Sequence, residues 1–317
     1  MTFWQGRTVA ITGGSGSFGK AFTRFLLSQD IRAVRILSRG EHRQAEMEAK
    51  LPDSRLRFIL CDVRDRSHLR RAFDGCSIVI HAAALKRIEK SEYNAIEFLL
   101  TNTIGAVNVV EAALDAGVER VIALSTDKAS APITHYGVTK LAAERIFAAA
   151  NRYGGDKVAA VVTRYGNVFG SEGSVLPLWI KQRDSGEPLT ITDAAATRFW
   201  MTMGEAVSLV AYAAELGISG TVIIPKLPAV RMVDVAEAVA PGRPRKIIGM
   251  RGVEKMAESL ISADESALAS EVDGYNVLGL PCPSGIPERY ASDNRQSFLS
   301  IEEIRTRIPQ AMEEANA

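Results

Sequence analysis

Apolar side chains come in short Val- and Ile-rich runs near residues 7–12, 33–37, 56–60, 78–81, 119–124 and 157–163. Between these runs the spacing of apolar positions turns helical. Near-continuous apolar runs mark strands buried on both faces. Their alternation with helical segments predicts an α/β fold, a doubly wound parallel sheet with helices on both sides. Beyond residue 164 the pattern loosens around Gly166, Gly170, Gly173, Pro177, Gly186 and Pro188. Loops with scattered short elements suit a smaller C-terminal lobe built onto the strand ends, and residues from about 204 to 240 read as a return to the sheet. The expected division is 1–163 with about 204–240 as one domain, and 164–203 with 241–317 as the lobe.

Two helical segments are apolar around more than one face. Residues 94–117 carry only Glu97, Glu111 and Asp115 as charges, and residues 136–151 place apolar side chains at 138, 141, 142, 146, 147, 149 and 150. A helix apolar all round is buried, one face by the core and the other by a thicker core or a partner subunit.

The first strand runs into Gly13-Gly14-Ser15-Gly16-Ser17-Phe18-Gly19, and helical spacing resumes from Ala21 to Leu27. Strand, glycine loop and helix in that order form the context of a dinucleotide fingerprint and give the fold its Rossmann type. Glycines let backbone N–H groups approach a pyrophosphate at a helix N-terminus, where the dipole favours anions. The expected contacts are Gly13, Ser15, Gly16, Ser17, Phe18 and Gly19. The second strand ends in Ser38-Arg39, without the acid that would bind a ribose 2′-hydroxyl. Arg39, helped by Arg43, suits a 2′-phosphate, so NADP is expected over NAD. Asp62 and Val63 follow the third strand and suit the adenine. The small residues Ala82, Ala83 and Ala84 after the fourth would let backbone lie close to the cofactor.

Chemistry concentrates in Ser125-Thr126-Asp127-Lys128 and Tyr136-Gly-Val-Thr-Lys140. Tyr136 and Lys140 share a helix face, and an ammonium near a phenol lowers its pKa from about 10. Asp127 and Lys128 form a second acid–base pair, which alcohol oxidation alone does not need. Neighbouring strand residues point to opposite faces, so both reach one substrate only if the strand has ended by Ser125.

Composition narrows the partners. The chain has 317 residues, 47% of them apolar, and a net charge of +1. That balance gives no electrostatic case for nucleic acid. No unbroken apolar run approaches the roughly 18 residues of a membrane span. The start Met1-Thr-Phe-Trp lacks the pattern of a signal peptide, and a cytoplasmic protein is expected. Cys61, Cys76 and Cys282, and His42, His68, His81 and His135, lack metal-site spacing, so no metal is expected.

The chain resembles the extended short-chain dehydrogenase/reductases, and within them the inverting UDP-N-acetylglucosamine 4,6-dehydratases of the pseudaminic acid pathway. The motifs that carry the resemblance are Thr12–Gly19, Asp62-Val-Arg-Asp65, His81-Ala-Ala-Ala-Leu-Lys86, Ser125–Lys128, Tyr136–Lys140, Arg164-Tyr-Gly-Asn-Val168, Thr197-Arg-Phe-Trp-Met-Thr202 and Tyr290-Ala-Ser-Asp-Asn294. It implies a redox-neutral dehydration. Tyr136 takes the C4 hydroxyl proton, Lys140 supports it and binds the cofactor, and Thr126 positions the C4 oxygen. Lys128 is the base at C5, and Asp127 protonates the departing C6 hydroxyl. Lys86, Asn167, Ser174, Arg198 and Arg251 would bind the sugar nucleotide, Lys86 also the cofactor, and the two apolar helices would form a homodimer. A C5-retaining dehydratase, an epimerase and a non-catalytic NADP sensor remain alternatives, with Lys128 in place of Glu resembling the inverting group. The chain departs from the family pattern at Arg87-Ile88-Glu89, where His-Val-Pro is usual, at Ala131 in an Asn-Pro, at His135, and at Arg251-Gly-Val-Glu-Lys255.

Overall fold

The computed structural model describes residues 2–316 apart from 156, 251, 253, 287 and 295–297. The six expected strands form: β1 (Thr8–Thr12), β2 (Ala33–Ser38), β3 (Leu56–Leu60), β4 (Ile78–His81), β5 (Arg120–Leu124) and β6 (Ala159–Thr163). They pair in parallel in the order β3-β2-β1-β4-β5-β6. The strand order reverses between β1 and β4, which opens a crevice at their carboxyl ends, where such sheets bind ligands. Register puts Thr12 opposite both Leu37 and His81, so the segments after β1, β2 and β4 emerge side by side.

The same sheet continues past β6 to nine strands. Val222–Ile224 adds in parallel, then the hairpin Ala269–Val272 and Tyr275–Leu278 adds antiparallel at the edge. The return to the sheet is thus shorter than expected, covering the helix Met203–Leu216 and one strand, with Pro225 and Pro228 following. The helix Met232–Val239 instead joins a second core with Phe169, Leu176, Trp179, Trp200, Ile304 and Ala311. The hairpin at 269–278, read from sequence as part of the lobe, belongs to the sheet because its strands continue the pairing begun by Val222–Ile224.

The first apolar segment forms one helical stretch, Ala95–Ala116, with a π turn at Leu99–Ile104. By length and composition this stretch is apolar enough to cross a membrane, the one such helix among the described residues. It packs against the helix His135–Gly154. Its charges pair with neighbouring loops and helices, Glu97 with Arg64, and Glu111 and Asp115 with Arg66. Ile96, Leu99, Ile104 and Val138 leave apolar surface exposed on this helix pair.

His81 closes β4 inside the core, its Nδ1 2.8 Å from the Thr12 hydroxyl. Burial, with nearby Lys140 adding, drops its pKa to about 3. Between that value and the ordinary value near 6.5 the unfolded chain binds a proton that the folded protein refuses. Stability therefore falls as pH falls through this window, by about 1.4 kcal/mol per pH unit for one proton. We expect His81→Gln to flatten the dependence by one proton, measured by urea unfolding at pH 6.5 and 4.5. An unchanged slope would mean that His81 is not the titrating group.

Candidate active site

The glycine loop begins where β1 ends. Gly13 has φ +68°, and a Cβ there would lie 2.8 Å from the Ala83 nitrogen, so only glycine lets the β1 and β4 loops close on each other. The helix Ser17–Leu27 then starts at Gly16 without a side-chain cap, which leaves its first N–H groups for an anion. Ser15 donates to the Ser38 hydroxyl at 2.9 Å. Gln44, which sequence reading passed over, donates to Ser38 Oγ at 3.0 Å and to the Ile59 carbonyl at 2.9 Å, tying the ends of β2 and β3 together. Phe18 stacks on Phe22 of its own helix. Gly19 lies so close to the Gly14 backbone that a side chain would collide.

Arg39 sits half-exposed at the end of β2, its guanidinium 3.8 Å from Asp62. Asp62 accepts from the Arg64 backbone at 3.0 Å and its guanidinium at 2.6 Å. Burial works against the charge, but these bonds hold the carboxyl below its ordinary range. Arg43, expected beside Arg39 at the 2′-phosphate, instead reaches Glu172 at 2.9 Å. Val63 packs against Gly105, and its carbonyl accepts from Asn108. The loop Ala82–Lys86 is clamped by Asn102 on the π turn, which accepts from Leu85 N at 2.8 Å and donates to Leu85 O at 3.0 Å. Asn102 also escaped sequence reading, since one amide in an apolar helix carries no positional signal. Lys86 beyond Ala84 donates to the Glu172 carbonyl at 3.4 Å, and burial lowers its pKa.

After β5 the chain leaves the sheet and makes a single 3₁₀ turn at Asp127–Ala129. This satisfies the geometric condition for two adjacent residues to serve one site. Thr126 Oγ1 and Lys128 Nζ each donate to Asp127 Oδ1 at 2.9 Å, and Lys128 also donates to Asn167 Oδ1 at 3.3 Å. A third group, unforeseen from sequence, completes the cluster: Glu258 Oε1 lies 3.4 Å from Lys128 Nζ. Burial opposes the Lys128 charge, but Asp127 and Glu258 outweigh it and hold the ammonium above its ordinary range. Gly137 brings the helix carrying Tyr136 against this turn, with room for no Cβ beside the Lys128 carbonyl.

Tyr136 corrects the expectation of a lowered phenol pKa. Burial, reinforced by Asp127, pushes it up to about 12, while Lys128 and the Thr126 hydroxyl beside it pull down. Lys140 lies one turn along the helix, but its ammonium donates to the Leu124 carbonyl at 2.6 Å, and burial lowers it to about 8. At Tyr136 desolvation outweighs the pull of the Lys128 ammonium.

Lys128, Glu258, Asn167 and Arg198 line a small cavity of about 110 Å³. Asn167 and Arg198 also line a larger one of about 580 Å³, with Ser174, Trp179 and Lys181. Ser174 presents a buried hydroxyl with no hydrogen-bond partner. Arg198 is steadied by the Thr197 carbonyl at 2.7 Å. Arg251 lies outside the described residues. No group of three or more His, Cys, Asp or Glu fit to hold a metal occurs among the described residues.

Two tethers hold the turn. Lys255 donates to the carbonyls of Ser130 and Ala131 at 3.1 and 2.7 Å. Ala131 has φ +43°, a conformation that Asn tolerates better than Ala, and it stands where the resembling family has Asn. Beneath the turn Arg164 is buried between Glu144, at 2.6 Å, and Glu265, at 2.9 Å, and Glu144 also accepts from Ser125 at 2.5 Å. Removing the guanidinium would leave two buried carboxylates unpaired. We expect Arg164→Met to destabilise the fold by about 3–5 kcal/mol in urea unfolding, and a loss under 1 kcal/mol would show the network to be dispensable.

A family model described as polysaccharide biosynthesis protein matches residues 9–278. The chain is 43% identical over 278 residues to UDP-N-acetylglucosamine 4,6-dehydratase (inverting) of Campylobacter jejuni, across 87% of this chain and 83% of that one. It is 42% identical to UDP-glucose 4-epimerase of Rickettsia akari, across 85% and 82%. Among solved structures, Pen from Bacillus thuringiensis superimposes with a TM-score of 0.92 at 32% identity, covering 98% of this chain and 100% of that one.

Proposed function

Since the chain belongs to the polysaccharide biosynthesis protein family, one of the extended short-chain dehydrogenase/reductases, we propose that it is an NADP-dependent UDP-N-acetylglucosamine 4,6-dehydratase that inverts C5. The observation that carries this reading is the convergence of buried Tyr136 with the Asp127–Lys128 pair, whose Lys128 lines the small cavity. An epimerase needs to take and return hydride at C4 only, and a second buried acid–base pair has no task there. The Rickettsia relative's name keeps the epimerase as the competing reading.

The cradle fits a dinucleotide. Gly13 lets the β1 and β4 loops close on each other at the crevice, and the N-terminus of Ser17–Leu27 offers uncapped N–H groups. Gly13, Ser15, Gly16, Ser17, Phe18 and Gly19 would line the pyrophosphate side. Ser38 and Arg39 would meet the 2′-phosphate, Asp62 and Val63 the adenine, and Ala82–Ala84, Lys86, Tyr136 and Lys140 the nicotinamide end. The chemistry such a cofactor supplies is reversible hydride acceptance, from C4 and back to C6 of one sugar.

The protein's own groups manage the protons. Tyr136 has to lose its proton before it can take that of the C4 hydroxyl. Thr126 lies between it and Asp127, so the proton ends on Asp127 and makes it the acid for the departing C6 hydroxyl. The C4 ketone then acidifies the C5 hydrogen, which Lys128 removes as an amine. Asn167, Ser174, Arg198 and Arg251 would hold the nucleotide side of the substrate. The exposed Ile96, Leu99, Ile104 and Val138 support a homodimer through the two helices that carry them. We place the reaction in the cytoplasm, where nucleotide sugars and nicotinamide cofactors are held.

Substrate deuterated at C4 should give dehydrated product with deuterium at C6 and without added reductant, read by mass spectrometry. An isomer of unchanged mass would establish the epimerase, and deuterium in solvent would end the relay. Tyr136→Phe should show neither cofactor reduction nor water loss. Lys128→Ala should accumulate bound NADPH and stall. Dehydration by Lys128→Ala at the normal rate would remove Lys128 as the C5 base.

The unmodified protein should bind NADP more tightly than NAD, and Arg39→Asp should move the preference toward NAD. Titration showing equal or tighter NAD binding by the unmodified protein would defeat the argument from Arg39.

A further inference from the structure

Glu258 is fixed by its backbone, which accepts from Ser292 N at 2.8 Å and donates to Ser292 Oγ at 2.9 Å. Its side chain is 3% exposed and reaches Lys128 with one oxygen. The other, Oε2, is buried without a hydrogen-bond partner. Across the ammonium, Asp127 repeats the arrangement: Oδ1 accepts from Lys128 and Thr126, and Oδ2 is buried and unpartnered. One ammonium thus stands between two carboxylates, each with an unsatisfied oxygen. Unsatisfied buried charge is costly, and a purely structural ion pair would need only one of the two.

Counting protons gives the second carboxylate a task. Two bases have to be freed in the dehydration, Tyr136 and Lys128, and Asp127 can store one proton. We propose that Glu258 is the acceptor of the Lys128 proton. It acts through Lys128, as a positioning residue for the C5 base, and the proposal rests on the dehydratase reading above. An N–H bond of the Lys128 ammonium breaks, its electron pair stays on nitrogen, and an O–H bond forms on Glu258. The amine then takes the C5 proton, the C–H pair forms the C5–C6 double bond, and the C6 hydroxyl leaves with the Asp127 proton as water. After hydride returns to C6, C5 takes a solvent proton on the face opposite Lys128, as inversion requires, while Lys128 releases the proton it took to solvent and recovers its own from Glu258. Tyr136 meanwhile keeps the C4 hydroxyl proton, so every group ends as it began. Burial raises the proton affinity of the Glu258 carboxyl, although Lys128 works against this, in keeping with the acceptor role.

The test uses unmodified protein, Glu258→Gln and Glu258→Asp with UDP-N-acetylglucosamine in deuterated water. Bound-NADPH absorbance reads the C4 step, and mass spectrometry reads C5 exchange and water loss. Glu258→Gln should keep KM and cofactor reduction within about twofold, while C5 exchange and water loss fall at least about 100-fold, the usual weight of a proton-transfer group. Glu258→Asp should recover part of the exchange. Normal C5 exchange in Glu258→Gln overturns the proposal, and so does an equal loss of both steps, which would make Glu258 only structural. Should Glu258→Gln not fold, Glu258→Asp decides, because its carboxyl is drawn back by one methylene and exchange at the unmodified rate overturns the acceptor role. Absence of water loss from the unmodified protein would overturn the dehydratase reading and this proposal together. Activity there with no selective loss in the variants overturns this proposal alone.

Discussion

Arg164 holds together pieces of chain that lie far apart in sequence. It leaves the end of β6 and is buried against Glu144 of the Tyr136 helix, Glu265 and the Leu260 carbonyl. Ser125, at the end of β5, joins through Glu144. A guanidinium this deep has lost its water and regains it only as a full set of oriented acceptors. The planar fork then fixes the angle between the Tyr136 helix and the segment Ser259–Ser266. Since Tyr136 and Lys140 ride on one partner and Glu258 immediately precedes the other, this pairing sets the distance between the phenol and the Lys128 cluster.

The sheet was largely readable because its strands are buried on both faces, a pattern that Val and Ile runs record directly. The lobe was less readable. Met232–Val239 is an apolar helix in either core, and nothing in its own spacing says which. The hairpin at 269–278 has short strands whose membership depends on the edge offered by Val222–Ile224. Local motifs placed the glycine loop, the Asp127–Lys128 pair and Tyr136, because such chemistry is written in contiguous residues. Glu258, Gln44 and Asn102 act at a distance through one hydrogen bond or ion pair each, and an isolated acid or amide has no sequence signature.

The Tyr136 result shows why spacing alone misjudges acidity. A Tyr-x-x-x-Lys pair puts two side chains on one face, yet Lys140 spends its ammonium on the Leu124 carbonyl, and the phenol feels burial first. The loop after the Asp127–Ala129 turn is under tension as well. Ala131 is held at positive φ by the neighbouring Lys255 contacts, where Asn would sit at lower cost. The strain belongs to the loop between the acid–base turn and Tyr136, and it is stored where both are aimed.

The tether from Arg164 to Glu265 spans 101 residues of chain. The cofactor crevice, by contrast, is made from segments that follow one another within the first half. During synthesis the crevice can therefore close early, while the turn at Asp127–Ala129 stays without Glu258, Lys255 and Glu265 until more than four fifths of the chain has left the ribosome. Long-range contacts of this kind form late. The glycine loop and its crevice are in place well before the Asp127–Lys128 turn gains the partners that fix it.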